Sequence, residues 1–148
     1  AVDVLSDGNV VPDLVVASGS ITLPRAASKV HVGLPFIPAM ELLDIEVSAK
    51  ATESLKPYEI SVSKVTLEVE DTRGVWVGPK QDDGSTTPMS ETKPRTVGDG
   101  YDTISLKTGK VEVIIEPGWN LGGGIRIEQR DPLPMAILSA IPEVSVGG

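Results

Sequence analysis

The sequence contains no cysteine, a single histidine and few aromatic residues, one Phe, two Trp and two Tyr among 148 residues. Without cysteine there is no disulfide framework, no thiolate nucleophile and no zinc site of cysteine type. No apolar run reaches the ~18 residues that a membrane-spanning helix needs. Positive charge is also scarce, with 13 Lys and Arg against 21 Asp and Glu, a formal net charge of −8 and a pI near 4.6. A nucleic-acid binder concentrates basic residues on one face. The densest basic stretch here, "ETKPR", is broken by an acid and a proline. No signal-peptide pattern is visible. The chain opens on Ala1 in a strand-like "AVDVL" rather than on Met, and closes on Gly147 and Gly148. These ends read as those of a fragment of a larger subunit.

What is present in quantity is turn chemistry. Glycine (15) and proline (12) are spread as punctuation between short β-branched runs, which favours many turns and an all-β plan. In "VDVLSDGNVV" the Asp7-Gly8 pair, and in "VVASGSI" the Ser18-Gly19 pair, mark turns. "KVHVGLP" alternates Val30 and Val32 around His31. In "SKVTLEVED", Val65, Leu67 and Val69 face one way and Thr66, Glu68 and Glu70 the other, the signature of a half-buried strand. After the "TRG" turn, Val75 and Val77 flank Trp76. Further on, Ile125 and Ile127 alternate with Arg126 and Glu128. "DTISLK", a Thr108-Gly109 turn and "KVEVIIE" read as one hairpin. "NLGGGIRI" reads as a bulged hairpin loop. The best helix candidate spans 47–58, where Pro57 would stop it. The fold class expected is therefore all-β, an antiparallel β-sandwich or barrel-like domain with long loops and at most one short helix. One β-rich domain over 1–148 is expected, divisible into an N-terminal subregion 1–46 and a main β-meander 58–148.

Candidate chemistry is thin. His31 sits in an alternating strand, where a lone histidine is ordinarily a surface or edge residue. Gly19 to Ile21 lack the surroundings of a nucleophile elbow. Asp82, Asp83 and Asp99 could offer oxygens to calcium, but the twelve-residue loop pattern is absent, and aspartate before glycine is ordinary turn chemistry. The triple glycine Gly122–Gly124 lacks the lysine and hydroxyl of a phosphate-binding loop. Trp76, Trp119, Tyr58 and Tyr101 could stack sugars, but in so aromatic-poor a chain each is expected to plug the core. No catalytic, cofactor-binding or metal-binding residue is assigned, and no cofactor and no enzymatic activity are expected. The polar segment 81–100 is long for a compact domain and suits a docking element.

Three blocks occur in order: "AASKVHVGLPF", "SKVTLEVEDTRGVWVGP" and "KTGKVEVIIEPGWNLGGGIRIEQRDPLPMAILSAIPEV". Together, from Ala26 to Val146, they resemble the later part of the tail nozzle proteins, or tail tubular protein B, of short-tailed bacteriophages. The resemblance implies a structural protein of the virion tail. Its partners would be other nozzle subunits in a homo-hexamer, together with tail adaptor and tail fibre proteins. DNA would pass through the tube without being specifically bound, and no membrane insertion is expected. An acidic lining would let DNA slide, where a basic one would hold phosphates. The alternative is a carbohydrate- or receptor-binding β-sandwich module, and a third class is a polysaccharide hydrolase. A wall module should bury Trp76 and Trp119, and a glycan module should expose one beside polar groups. A hydrolase should show carboxylates converging on a cleft.

Overall fold

The computed structural model describes residues 1–45, 59–80, 88–92 and 105–147. Among them the fold is all-β, with eleven strands and antiparallel pairing throughout. The helix expected over 47–58 lies outside the described residues, as do Tyr58, Tyr101, Asp82, Asp83 and Asp99.

The centre of the molecule is β5 (Glu59–Thr72), flanked by β11 (Ile137–Val146) on one side and β8 (Lys107–Ile114) on the other. The short β9 (Trp119–Leu121) also pairs with β5, at its start. A second sheet runs β4 (Ala39–Glu41), β10 (Ile125–Gln129), β6 (Val75–Pro79), β7 (Ser90–Glu91). The two sheets share one core. Val65, Leu67 and Val69 of β5 and Val113 of β8 meet Val75 and Val77 of β6 and Ile125 and Ile127 of β10. This is a sandwich of open sheets, and the alternations seen in the sequence are its inner faces. Each fully buried Val, Leu or Ile side chain contributes about 1.5–3 kcal/mol over exposure.

One irregularity lets β5 work over its whole length. Strict alternation would turn Ile60 and Val62 to the face opposite Val65, Leu67 and Val69. All five are buried. The pairing with β11 jumps from Lys64 opposite Glu143 to Val62 opposite Val144, so Ser63 is the extra residue of a bulge. Its carbonyl accepts the Ile115 N–H. The outer face keeps its charges, with Lys64 3.0 Å from Glu143 and 3.9 Å from Glu112.

Two local expectations are corrected. Thr108 and Gly109 do not turn a hairpin; both lie within the continuous strand β8. Gly109 has φ 110 where the register to β5 shifts, and there Glu70 and Asp71 of β5 bulge against the single Thr108, whose Oγ1 accepts the Asp71 N–H. Nor is "NLGGG" a hairpin loop, because β9 pairs in one sheet and β10 in the other. The glycines carry the chain between layers. Gly123 has φ +62, and a Cβ there would lie 2.5 Å from Ile60 Cγ2. The Asn120 side chain holds the crossing by accepting the Gly123 N–H and donating to the Lys80 carbonyl.

The N-terminal strands β1 (Val2–Ser6), β2 (Asn9–Leu14) and β3 (Val30–Gly33) form a separate sheet in the order β2-β1-β3. Asp7 and Gly8, both at positive φ, turn the first hairpin. The Asp7 carboxylate accepts the N–H groups of Ser28 and Lys29, and those bonds hold its pKa below the ordinary value. The Ser18-Gly19 turn closes on an Ala17–Ser20 bridge. Only Val4 of this sheet is among the fully buried large side chains. The sheet thus has little interior of its own.

Candidate functional site

Two surfaces stand out, one polar and ion-paired, the other apolar and uncovered among the described residues. The polar one is the outer face of the β4-β10-β6-β7 sheet. Arg126, Glu128 and Arg130 recur at every second position, so they stand on one face of the chain. Glu128 lies opposite Trp76, and Arg126 opposite Gly78 and Glu41. Arg126 donates from Nε to Glu128 at 2.6 Å and from Nη1 to Glu41 at 2.6 Å. Arg130 donates to the other Glu128 oxygen at 3.0 Å and stacks 4.5 Å from the centre of the Trp76 ring. Burial pushes the Glu128 carboxyl up, but the guanidinium bonds outweigh it and its pKa lies below the ordinary 4.5. A carboxylate so held stays ionised at neutral pH and has no proton to give. It fixes the positions of its neighbours. The chain folds back over this face too. A Cβ at Gly78 would stand 2.6 Å from Met89 Sδ, so residues 88–89 cross there. That crossing and β7 are the parts of the 81–100 segment within the described residues.

The apolar surface is a strap. Between β3 and the stretch after β4, Val32, Leu34, Phe36, Ile37, Met40 and Leu43 are all exposed, Leu34 at 83%, Phe36 at 77% and Leu43 at 90%. Six large apolar side chains within twelve residues of sequence is dense for a free surface, and such concentrations mark interaction sites. β3 is an edge strand of its sheet, and β4 an edge strand of its own. β2, at the other edge of the N-terminal sheet, carries Pro12, which blunts strand pairing.

His31 is exposed on β3, lining a shallow hollow with Asp3, Phe36 and Pro132. Among the described residues no three His, Asp or Glu side chains gather as a metal site. Nor does any helix among them have the length and apolarity to cross a membrane. The tryptophans depart from the core role expected of them. Trp76 is half-buried on the outer sheet face, its indole N–H shielded and without a partner among the described residues. Trp119 is 57% exposed beside the exposed Glu59, with its six-membered ring close to Gly147. The short β9 sets this, pairing Trp119 with Ser61 on the side of β5 turned away from Ile60 and the core. The Arg126–Glu128–Arg130 cluster went unremarked in the sequence, although an acid with arginines two residues to either side in a strand is a readable signal.

Compared with protein-family models and with curated proteins, the chain matches none.

Proposed function

We propose that this chain is a wall module of a phage tail tube of the short-tailed nozzle type, a structural part of the virion and not an enzyme. The observation that carries it is the exposed strap from Val32 to Leu43. Apolar concentrations of this kind mark interaction surfaces, and subunit assembly would cover this one. The ordered sequence blocks point to the same kind of protein, and the net charge of −8 suits a channel that DNA crosses without adhering. In this account the strap meets a neighbouring nozzle subunit, adaptor or fibre.

Immunogold electron microscopy tests the proposal, with antibody against the folded chain applied to intact and to disrupted particles. Gold on the short tail is the result expected. Gold on cell surfaces, with none on either particle preparation, would refute it.

A second proposal, a carbohydrate-binding module, is favoured by Trp119. Its exposure beside Glu59 is what a stacking platform needs, and a wall module was expected to bury it. Glycan-array binding that disappears in Trp119→Ala would support this alternative, and a blank array would remove it.

A further inference from the structure

At one margin of the sandwich, between β7 and β8, the two sheets part into a cleft of about 520 Å³. That lies within the range of small-molecule sites, roughly 300–1,000 Å³. Its floor is the core itself, through Val69, Val75 and Val113. Arg73, from the turn between β5 and β6, lines it. The Arg73 backbone is well tied, its N–H to the Pro134 carbonyl and its own carbonyl to the Gln129 amide. Its guanidinium is not, because Nε and Nη1 are shielded from solvent and have no hydrogen-bond partner among the described residues. Donors on a permanent cation, taken out of water and left unpaired, are among the least favourable arrangements in a protein.

The rim adds Lys107 and Lys110, with Glu91 and Glu112 as the acids. Glu112 is already engaged by Lys64. The cleft therefore combines an apolar floor, an unanswered cation and a surplus of positive charge, in a chain that is acidic as a whole.

We propose that this cleft binds an amphiphilic carboxylate, a fatty-acid-like molecule. Its apolar tail lies against Val69, Val75 and Val113, and Arg73 turns its guanidinium into the cleft, where the carboxylate accepts the N–H groups left free. Charge-assisted bonds to a guanidinium in a shielded site are the strong kind. An apolar ligand without the acid would leave Arg73 as it is. The inference is independent of the tail-wall proposal.

Calorimetric titration of the full chain with decanoate and with decanol provides the test, the two sharing a tail and differing in the charged head. Decanoate is expected to bind at least about tenfold more tightly than decanol, with Arg73→Met removing that difference. In wild-type spectra, decanoate should move the Arg73 Nε–H resonance and the methyls of Val69, Val75 and Val113, and decanol should leave the Nε–H in place. This second readout holds even if Arg73→Met does not fold. No decanoate binding, equal affinity for decanol, undiminished affinity in a folded Arg73→Met, or an unmoved Nε–H would each overturn the proposal.

Discussion

Single residues show the division between what holds this fold and what decorates it. Glu128 is 8% exposed and takes hydrogen bonds from two guanidiniums. Glu128→Gln should destabilise the chain by about 1–3 kcal/mol in denaturant unfolding at neutral pH. The pH dependence follows from its lowered pKa. A carboxylate depressed in the folded state contributes fully above its unfolded pKa, near 4.5, and loses that contribution as pH falls through the folded value. The gap between wild type and Glu128→Gln should therefore be full at pH 7 and should narrow only as pH falls below about 4.5. A gap that stays constant with pH would show that the guanidinium bonds do not set it. Gly123 is a second such point. Gly123→Ala adds a Cβ 2.5 Å from Ile60 at a φ of +62, and should cost about 2–4 kcal/mol. An unchanged unfolding midpoint would contradict the described crossing. The Glu128 role is readable in the alternation of Arg126, Glu128 and Arg130, whereas the Gly123 role is not visible in local sequence. The Gly122–Gly124 run looks the same whether it turns a hairpin or passes between sheets, because only the partners of the flanking strands differ. Trp119 shows the same limit, since a tryptophan in a short strand can face the core or solvent and the pairing of that strand decides.

At the scale of elements, strict alternation was the legible signal. Val65, Leu67 and Val69, Val75 and Val77, and Ile125 and Ile127 all face the core as their spacing implied. Each pattern is long or apolar enough that one register alone buries it. Bulges were not legible. Ser63 has no sequence mark to set it apart from any serine in a strand, and Glu70-Asp71, which bulges against Thr108, reads as two more polar residues at a strand end. Both owe their form to β5 pairing with two long neighbours. Deleting Ser63 is a direct check, since removing the extra residue leaves a regular strand in which Ile60 and Val62 keep the inner face with Val65 to Val69. The deletion should keep cooperative unfolding and cost less than Leu67→Ala, which should cost about 2–5 kcal/mol. Ile141→Ala, on the exposed side of β11, should stay within about 0.5 kcal/mol of wild type. If Leu67→Ala and Ile141→Ala are equally mild, the inner and outer faces are misassigned.

For the whole molecule the main fact is imbalance. One well-packed sandwich carries a small N-terminal sheet with little interior, and between them runs an apolar strap that nothing among the described residues covers. Composition suggested the all-β plan, but a strap of this kind is invisible in it, because "VGLPFIPAMELL" would serve equally well as core. Replacing Leu34, Phe36 and Leu43 together with serine should leave the folding midpoint of the isolated chain within about 0.5 kcal/mol, while preventing incorporation into assembled tails. A tail reconstruction by cryo-electron microscopy, from particles labelled by antibody against this chain, tests that assembly account most directly. The account predicts density for the sandwich in the tail wall with Leu34, Phe36 and Leu43 buried against a neighbouring subunit. A strap facing open solvent in the assembled tail, or a tail wall into which the sandwich does not fit, would contradict it.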